Sequence, residues 1–298
     1  MAHPFKCGFV TILGKPNVGK STLLNGILQQ KISITSRKSQ TTRYHILGIK
    51  TDSKSQIIYV DTPGILEKPS GAMNRYMNRL AMGAVDNMDL IAYMIDRLSW
   101  TERDDSIVSK ILKKNGNVLL VVNKIDKLTD KKLLLPFINN LKTKTQFREI
   151  LPISALSRND IQLFENTVVK YLPEGAPVYP DDQVTDKTER FIAAEFIREK
   201  LMRRLGDELP YQTCVTIDKF EADNKLIRIS AIIWVASASQ KAIVIGEKGR
   251  VLKSIGTEAR TDMEKFFDKQ VYLNTWVKVR EKWMDDIKAL EEFGYQER

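Results

Sequence analysis

The first half of the chain alternates short apolar runs with stretches in which apolar residues recur at helical spacing. Short apolar runs suit buried strands, and the stretches between them suit amphipathic helices. Strands are predicted at 9–13, 44–50, 56–60, 90–95, 118–122 and 149–153. Helices are predicted at 20–29, 72–86, 104–114, 131–145 and 159–171. This alternation predicts a doubly wound, mostly parallel α/β sheet, and such sheets bind ligands at the carboxyl ends of their strands.

After residue 172 the pattern changes. The segment 173–182, PEGAPVYPDD, contains three prolines, a glycine and a run of acids, which is typical of a linker. Beyond it we predict an amphipathic helix at 188–205 with Gly206 as its C-cap. Further elements are predicted as strands at 212–219 and 226–236, a helix–loop–helix over 240–268, a strand at 271–279 and a helix near 281–292. The order αββααβα predicts a small α+β domain.

From this change of pattern we expect two domains. Residues 1–173 form the first, residues 191–298 form the second, and residues 174–190 link them. A chain of 298 residues is long for one hydrophobic core and suits two.

The net charge of +10 is distributed unevenly along the chain. Residues 1–180 contain 26 Lys and Arg against 15 Asp and Glu, whereas residues 181–298 contain 21 against 22. A basic protein suggests a polyanionic partner. Any nucleic-acid site in the second half must therefore depend on local charge rather than on net charge.

The cysteines, histidines and apolar runs argue against a disulfide-bonded protein, a zinc protein and a membrane-spanning protein. Cys7 and Cys214 are far apart, which indicates reduced thiols in a cytosol rather than a disulfide framework. The cysteines and two histidines are not clustered, which argues against a zinc site. Apolar runs such as 90–95 are far shorter than the about 20 residues that a bilayer requires. The first residues, MAHPFK, have no signal-peptide pattern, so we expect a cytosolic protein.

Residues 14–21, GKPNVGKS, stand between the first predicted strand and the first predicted helix. Strand, Gly-x-x-x-x-Gly-Lys-Ser and helix is the order of a phosphate-binding loop. The loop amides and the helix N-terminus would supply partial positive charge to a phosphate. Lys20 would reach the β- and γ-phosphates, and the Ser21 hydroxyl would hold Mg²⁺. The alternative is a tight strand-to-helix turn with an exposed lysine, which the flanking elements make the weaker interpretation.

Three more polar motifs follow the ends of apolar strands. Residues 61–64, DTPG, follow the strand at 56–60; the carboxylate can hold the hydration shell of Mg²⁺, and the Gly64 amide can bond a γ-phosphate. Residues 123–126, NKID, follow the strand at 118–122. The Asp126 carboxylate can accept from N1 and the 2-amino group of guanine, neither of which adenine offers. Asn123 can bond the other edge of the base, and the Lys124 stem can lie over it.

The third of these motifs, Ser154-Ala155, follows the strand at 149–153, and its amides could bond guanine O6. Each motif alone also suits an ordinary turn or helix cap. Their order along the chain is what favours a nucleotide site.

Residues 243–250, IVIGEKGR, form a G-x-x-G loop between two predicted helices of the second domain. Glycines there would allow a phosphate backbone to approach closely, and neighbouring cations would neutralise it. Between Lys241 and Arg260 the chain has five basic and two acidic residues, a local net charge of +3. A G-x-x-G sequence also occurs in ordinary helix–helix turns and by itself is a weak indication of an RNA-binding loop. The predicted order αββααβα of the domain strengthens that interpretation.

With these motifs in order, the first domain resembles the translation-factor-related GTPases, a class of P-loop proteins. The resemblance implies that the Thr-rich segment 34–43 is a switch that orders around γ-phosphate and Mg²⁺. It implies Thr42 as a Mg²⁺ ligand, with Thr41 as the close alternative. Residue 65 is isoleucine where Ras-like enzymes have a water-orienting glutamine. Slow intrinsic hydrolysis is therefore expected, unless another group assists it.

Asn17 offers one such group. Related GTPases with asparagine at this position of the loop bind K⁺, which acts like an arginine finger. The alternative, held about equal, is that Asn17 is a loop residue that bonds its own backbone.

The second domain resembles a KH domain of type II. A GTPase followed by a KH domain resembles the Era family of bacterial ribosome-assembly GTPases over nearly the whole chain. Further segments that fit the family are 31–38, 40–43, 198–201, 208–211 and 255–260.

The family resemblance implies GTP or GDP with Mg²⁺ as ligands. It also implies binding to the 3′ end of 16S ribosomal RNA and a role in maturation of the 30S subunit. Peripheral association with the inner membrane is implied by the resemblance alone, since the terminal helix is acidic. We expect no DNA partner and a monomer.

The candidate residues are as follows. Those for nucleotide binding are Gly14, Lys15, Pro16, Asn17, Val18, Gly19, Lys20, Ser21, Thr22, Asp61, Thr62, Pro63, Gly64, Asn123, Lys124, Asp126, Ser154 and Ala155. Those for hydrolysis are Lys20, Thr42, Asp61 and Gly64, with Ser21 and Thr42 for Mg²⁺ and Asn17 for K⁺. Those for RNA are Lys241, Gly246, Glu247, Lys248, Gly249, Arg250 and Lys253.

Two other functions compete with a regulatory GTPase. A GTP-dependent RNA-modifying enzyme would need a further catalytic domain, for which 298 residues leave no room. A plain RNA-binding scaffold with a dead nucleotide site is opposed by the intact Lys20, Ser21 and Asp61. Phosphate release measured with and without RNA separates a scaffold from a regulatory GTPase.

If Asn17 binds K⁺, GTP hydrolysis should be faster in KCl than in NaCl at equal ionic strength. The reason is that a K⁺ ion held by the loop would stabilise negative charge on the phosphates in the transition state. Asn17→Ala should remove the difference between the two salts. Equal rates for the native protein in both salts would leave an RNA or ribosomal activator as the substitute for glutamine.

Overall fold

The computed structural model describes residues 4–36, 38–66, 68–206 and 208–295. Arg37, which falls in the predicted switch segment, lies outside these residues. The chain divides into two compact units. The first unit comprises the chain up to Ser33, Thr42–Pro69 and Met77–Asp186, and the second comprises Ile34–Thr41, Ser70–Tyr76 and the chain from Lys187 onward.

The first unit is built on a six-stranded sheet in the order β2-β3-β1-β4-β5-β6. Its strands are β1 (Lys6–Gly14), β2 (Ile46–Thr51), β3 (Ser55–Asp61), β4 (Leu90–Asp96), β5 (Val118–Asn123) and β6 (Glu149–Pro152). Only β2 among these strands pairs antiparallel, with β3. The predicted doubly wound, mostly parallel sheet is confirmed.

Five helices accompany these strands along the described chain: α1 (Lys20–Leu28), α2 (Gly71–Gly83), α3 (Glu102–Lys114), α4 (Leu134–Lys144) and α5 (Arg158–Tyr171). The helix predicted at 131–145 is divided into a short 3₁₀ turn, Lys131–Leu133, and α4. Strands β4 and β5 are buried along nearly their whole length. That burial explains why they are continuous apolar runs rather than alternating ones.

The segment 174–186 packs along the first unit. Glu174 forms a β-bridge with Lys6, and Thr185 forms one with Gly48. The amides of Val178 and Tyr179 donate to the buried Gln56 side chain at 2.7 and 2.9 Å. The predicted limits of the two domains and of the linker 174–190 stay predictions.

The second unit is built on a three-stranded sheet in the order β7-β8-β9. Its elements are α6 (Glu189–Arg204), β7 (Cys214–Ala222), β8 (Leu226–Val235), α7 (Ala238–Ile245), α8 (Arg250–Phe267), β9 (Gln270–Val279) and α9 (Ile287–Glu292). β8 pairs antiparallel with β7 and parallel with β9. This arrangement and the order αββααβα agree with the predicted α+β KH fold.

Two details of the second unit differ from the prediction. The C-cap of α6 is Leu205 in an extended conformation, whereas Gly206 was predicted. The Leu205 amide still makes the last helical bond, to the Leu201 carbonyl at 3.0 Å, but the Leu205 ψ of 145° turns the chain out of the helix before Gly206. The terminal helix begins only at Ile287, after Asp286 caps it by accepting from the Lys288 amide at 3.0 Å.

Part of the predicted switch segment belongs to the second unit. Its residues 34–41 contact α6, which carries an unusual number of buried charges. The fully buried Glu199 accepts from the Thr35 amide at 3.0 Å, and Arg203 donates to the Thr35 carbonyl at 3.2 Å. The buried Arg198 donates to the Thr41 carbonyl. The chain then returns to the first unit at Thr42.

Other expectations can be checked against the described residues. Cys7 and Cys214 are buried thiols that are not joined in a disulfide. In the part of the chain that the structure covers, no helix combines the length and apolar character needed to span a bilayer. The same residues contain no group of three or more metal-ligating His, Cys, Asp or Glu side chains.

Candidate nucleotide-binding site and nucleic-acid interface

The phosphate-binding loop runs from the end of β1 to the start of α1. Gly14 ends the strand, and Gly19, with a φ of 110°, caps the helix. The Lys20 side chain is buried, and its ammonium donates to the carbonyl oxygens of Gly14 at 3.2 Å and Lys15 at 3.1 Å. Burial lowers the pKa of Lys20 to about 8, and the Asp61 carboxylate opposes this shift. Phosphate oxygens would replace these carbonyls as partners of the ammonium.

A buried carboxylate collects hydroxyl groups beside this loop. Asp61 ends β3, and its Oδ2 accepts from Ser21 Oγ at 2.7 Å and from Ser33 Oγ at 2.9 Å. Ser21 Oγ also lies 2.9 Å from Thr42 Oγ1. Burial raises the pKa of the Asp61 carboxyl, although the positive charge of Lys20 and the serine hydrogen bonds act in the opposite direction.

These side chains fit a magnesium ion. Asp61 Oδ1 is buried without a hydrogen-bond partner, and a buried oxygen in that state requires an explanation such as an ion or water. Hydroxyl and carboxylate oxygens are the ligands that Mg²⁺ prefers. Of the two candidate threonines, Thr42 lies beside Ser21, whereas the Thr41 hydroxyl donates to the Lys38 carbonyl at 2.8 Å.

The base-recognition motif lies against the phosphate loop. Asn123 ends β5; its amide nitrogen donates to the Val18 carbonyl at 2.8 Å, and its oxygen accepts from the Ala155 amide at 2.9 Å. One side chain therefore joins three of the predicted motifs. Lys124 donates to the Asn17 carbonyl at 2.6 Å and to Asp96 at 2.8 Å. These bonds fix the lysine stem beside the loop, as a residue that covers a base requires.

The carboxylate expected to read guanine lies at the surface. Asp126 is exposed on a 3₁₀ turn, Ile125–Lys127, directly after β5. The amides proposed for guanine O6 are engaged elsewhere: Ser154 donates to Asp160 at 2.7 Å, and Ala155 donates to Asn123. A guanine O6 would therefore share or replace those acceptors.

The DTPG motif approaches the phosphate loop at its glycine. A Cβ on Gly64 would lie 2.7 Å from the Pro16 nitrogen, so a larger residue would collide with backbone. Thr62 and Pro63 are buried between Asp61 and this glycine. The next side chain, Ile65, is 4% exposed and packs in the hydrophobic core of the first unit. At the position where Ras-like enzymes have the water-orienting glutamine, this chain therefore has a side chain of the hydrophobic core.

Two further predicted residues occupy ordinary positions in the loop region. Asn17 is exposed with a φ of 64°, and Thr22 is half-buried in the first turn of α1. This geometry leaves the role of Asn17 as a K⁺ ligand a prediction.

Sequence reasoning missed residues that support the site. Asp104, on α3, is fully buried and accepts from Tyr93 Oη and Thr101 Oγ1, both at 2.8 Å, and from Lys15 Nζ. Burial would raise the pKa of Asp104, but these bonds hold it below its usual value. The loop lysine is thus anchored to α3. A lone aspartate in the first turn of a predicted helix gave no sign of this role.

Asn25 was also missed. Its side-chain oxygen accepts from the amides of Ile32 and Ser33, both at 3.0 Å, and its nitrogen donates to the Ser33 carbonyl at 2.6 Å. Asn25 thus holds in place the segment whose serine bonds Asp61. In the sequence it is only a polar residue on the outer side of a helix.

The G-x-x-G loop connects α7 to α8 in the second unit. Gly246 has a φ of 72°, and a Cβ there would lie 2.4 Å from Val251 Cγ2, so only glycine fits. Gly249 has a φ of 75° and caps α8, whose first turn has no acidic residue. Lys248 also has positive φ, at 49°. The loop therefore exposes its backbone at the N-terminus of a helix of 18 residues.

Most of the side chains predicted for RNA are at the surface. Glu247, Lys248, Arg250 and Lys253 are exposed, and Lys241 is half-buried at α7. The opposite side of α8 is apolar and buried at residues 255, 259 and 263. One side of the helix therefore fixes it to the unit while the loop and the cations remain accessible.

The two units match two family models. A model for the "50S ribosome-binding GTPase" family matches residues 9–124, and a KH-domain model matches residues 208–284. The fold and site thus define a P-loop GTPase with a C-terminal KH domain.

Full-length comparisons give the family. The chain is 50% identical to GTPase Era of Marinobacter nauticus, covering 97% of this chain and 95% of that protein. It is 49% identical to GTPase Era of Azotobacter vinelandii, with coverage of 99% and 98%. The chain belongs to the Era family of GTPases.

Solved Era structures share the fold. An Era structure in complex with MgGDPNP and nucleotides 1506–1542 of 16S ribosomal RNA matches with a TM-score of 0.93 and 40% identity. It covers 98% of this chain and 99% of that one. A variant of Aquifex aeolicus Era bound to GDP and aluminium fluoride matches with the same TM-score, identity and coverage.

Asp126→Asn should weaken GTP binding and improve binding of xanthosine triphosphate. Xanthine has a 2-oxo acceptor where guanine has a 2-amino donor, so an amide side chain would suit it better. Competition binding with both nucleotides measures the exchange. Asp181→Asn removes an exposed carboxylate of the same unit and should leave the preference for GTP unchanged. An unaltered GTP preference in Asp126→Asn would remove this residue from the base site.

Proposed function

We propose that this GTPase binds the 3′ region of 16S ribosomal RNA through its KH domain and acts in assembly of the 30S subunit, with its nucleotide state controlling RNA binding. The observation that carries the proposal is the pairing of two sites on one chain. Oxygen ligands for Mg²⁺ meet a phosphate loop in the first unit, and the second presents a G-x-x-G loop. The related Era structure, which holds both MgGDPNP and 16S RNA, supports the same pairing.

The nucleotide part of the proposal assigns a task to each group. Lys20 neutralises phosphate charge, and Ser21, Thr42 and Asp61 hold Mg²⁺, which when bound draws charge from the phosphates. The Gly64 amide bonds the γ-phosphate. Because Ile65 lies in the core and cannot orient water, hydrolysis is slow without an activator.

The RNA part rests on exposed backbone with local positive charge. Single-stranded RNA approaches the two glycines, which have no side chain to block it and whose φ values of 72° and 75° disfavour residues that have one. Lys248, Arg250 and Lys253 neutralise nearby phosphates. The net charge of the second half of the chain is irrelevant to this contact, since screening limits charge effects to about 8–10 Å at physiological salt.

Control by nucleotide follows from the division of the switch segment. Residues 34–41 are bound by α6 in the second unit, while the next residue, Thr42, lies beside Ser21 and Asp61. Any change at Thr42 on hydrolysis is transmitted along the chain to the segment held by Glu199 and Arg203. A γ-phosphate that orders such a segment is a known type of switch.

We also infer that the protein works in the cytosol. Peripheral association with the inner membrane remains an expectation drawn from the family resemblance alone. A scaffold with a dead nucleotide site is the weaker alternative, because Lys20 bonds the phosphate loop and Ser21 bonds Asp61.

Changing Glu247 and Lys248 both to Asp should weaken binding of single-stranded 16S RNA by on the order of tenfold or more. Two short acids then stand where phosphates approach, and one cation is lost. Both positions are exposed, and aspartate tolerates the positive φ of residue 248 better than lysine does. Melting temperature and GTP binding should stay near native, and the logarithmic salt slope should become shallower by about 0.7 per lost phosphate contact.

The chain offers a matched control for this variant. Glu281-Lys282 is also an exposed Glu-Lys pair whose lysine has positive φ, at 51°. Changing both to Asp alters net charge equally but should leave RNA affinity nearly native. If both double variants bind RNA equally well, the G-x-x-G loop is not the RNA site and the basic first unit would be tested next.

Arg203→Ala should reduce the difference in RNA affinity between the GTP-analogue-bound and GDP-bound protein. The substitution removes the guanidinium bonds to Thr35 and to the buried Glu199. Glu199 keeps its ion pair with Lys200 and the arginine side chain is 46% exposed, so the fold should stay intact. Coupling between two sites is typically worth about 1–3 kcal/mol, and loss of part of it should be measurable by titration with each nucleotide.

Arg204→Ala is the control for that variant. Arg204 is the next residue on α6, is 45% exposed, and pairs with Glu258 rather than with the switch segment. An equal loss of coupling in both variants would mean that the contact with residue 35 does not transmit the nucleotide state.

A further inference from the structure

The sheet of the second unit has two different faces. On one face, alternate residues of β8 are buried: Ile227, Ile229, Ala231, Ile233 and Val235. Helices α6 and α8 contact this sheet, and their buried apolar residues meet that face. The residues between them point to the other face and are half-buried or exposed.

We call this other face the open sheet face. It is defined by Thr216, Lys219 and Glu221 of β7, Arg228, Ser230 and Ile232 of β8, and Tyr272, Asn274, Trp276 and Lys278 of β9. The strand register places them side by side, because Arg228 pairs with Tyr272 and Ile232 pairs with Trp276. A bulge between Ile217 and Lys219 shifts the register of β7 by one residue, so that Thr216 and Lys219 pair with neighbouring residues of the same face of β8.

Two aromatic side chains of the open sheet face are exposed to solvent. Tyr272 is 56% exposed and Trp276 is 48% exposed, although large aromatic side chains normally bury most of their area. They are four residues apart on one strand, which separates them by about 13 Å at about 3.3 Å per residue. Asn274 lies between them with amide donors and an acceptor. The two rings can thus contact two separate planar groups.

The end of the sheet nearest α9 is closed, in contrast. Trp234 lies against Phe293 with ring centroids 5.3 Å apart and donates its indole N–H to Thr216 at 2.9 Å. The chain after β9 therefore covers that aromatic residue and leaves Tyr272 and Trp276 uncovered. The exposure of these two is a local feature of β9 rather than a property of the whole sheet.

The open sheet face is positive, whereas the second half of the chain taken as a whole is not. It carries three cations, Lys219, Arg228 and Lys278, against one acid, Glu221, whereas residues 181–298 together have one more acid than bases. The ion pairs that engage Lys219 and Arg228 are formed by exposed side chains. Exposed pairs contribute little energy, so phosphates can replace their acids. Lys278 lies 5.8 Å from the ring centroid of Trp234.

We propose that the open sheet face is a second RNA-binding surface, on which Tyr272 and Trp276 stack two bases of a single strand while Arg228 and Lys278 meet its phosphates. Stacking on aromatic rings of an open sheet is a general solution for single-stranded RNA. The amide of Asn274 bonds the edge of a base between them. This surface is separate in sequence from the G-x-x-G loop at residues 246–249.

A protein partner fits the face less well. Protein interfaces are depleted of charge at their centre and gather apolar residues there. Here asparagine separates the two rings, lysine and arginine flank them, and Ile232 is the one apolar residue of the defined face that pairs with a ring, so the apolar area is small and interrupted. Isolated rings between cations and amides suit a ligand with alternating bases and phosphates.

The inference rests on the proposed function only in taking RNA as the ligand. It does not require the G-x-x-G loop to bind RNA. The test therefore uses both surfaces, so that failure of one can be told from failure of the other.

The first experiment is cross-linking of the full-length native protein to single-stranded RNA that contains 4-thiouridine, with the modified peptides mapped by mass spectrometry. We expect cross-links within β9 at Tyr272 or Trp276 as well as near the G-x-x-G loop. In the Glu247→Asp, Lys248→Asp variant the β9 cross-links should persist while those near the loop decline. Absence of β9 cross-links in the native protein overturns the inference and leaves the proposed function standing.

The second experiment measures RNA affinity in two double variants. Tyr272→Ala with Trp276→Ala should weaken binding by about fivefold or more per ring, because each stacked base contributes to affinity. Tyr272→Phe with Trp276→Phe keeps the rings and should bind within about twofold of native. Equal affinity of the two double variants for RNA would contradict stacking, whether both are native-like or both are weak.

Inorganic polyphosphate serves as a probe without bases. Its affinity should be the same for the native protein and the alanine double variant, since it has nothing to stack. If polyphosphate binding falls as much as RNA binding, the substitutions act through charge or folding and the inference fails. If RNA binding is unchanged and the native protein dimerises but the alanine variant does not, the face is a protein interface instead.

Discussion

Asp61 is buried at the end of β3, and a carboxylate in that position must be compensated or it destabilises the fold. Ser21 from the phosphate loop and Ser33 from the segment after α1 donate to the same oxygen, and the nearby charge of Lys20 acts with them. The elements that carry these groups are thereby drawn together at the carboxyl ends of the strands. The second oxygen remains without a partner, so the compensation is incomplete in the protein alone. An incompletely compensated buried acid is what a site for a divalent cation requires.

The same requirement governs α6 in the second unit. Glu195, Arg198, Glu199 and Lys200 are all buried there, and they form ion pairs with each other or with Asp262. Removing one member of such a group leaves a buried charge alone, which costs several kcal/mol. Residues 34–41 meet this helix through hydrogen bonds to its charged side chains.

The sequence predicted the parts that local chemistry determines. The sequence was sufficient to predict both sheets, the phosphate loop, the strand-end motifs and the G-x-x-G loop. Each of these depends on short-range periodicity or on a few adjacent residues. Two contacts could not be predicted from the sequence. The contact of Lys15 with Asp104 joins residues 89 positions apart, and nothing about an asparagine on a helix indicates that Asn25 binds the backbone of Ser33. The end of α6 was predicted wrongly because glycine is frequent at helix ends, whereas here the cap is the preceding leucine. The exposure of the two aromatic side chains of β9 could not be predicted without the sheet register. The register shows which side of the strand the helices leave uncovered.

The two RNA surfaces would contribute to binding in different ways. The G-x-x-G loop offers backbone and cations, so its contribution is electrostatic and falls as salt rises. The open sheet face offers rings, whose stacking with bases depends little on salt and tolerates any base. A strand that met both would keep part of its affinity at salt concentrations that abolish phosphate contacts alone. If both surfaces bind RNA as proposed, residues 181–298 would hold a polyanion despite having 21 basic residues against 22 acidic ones. A few cations would act at close range, and the two aromatic rings would add stacking that does not depend on net charge.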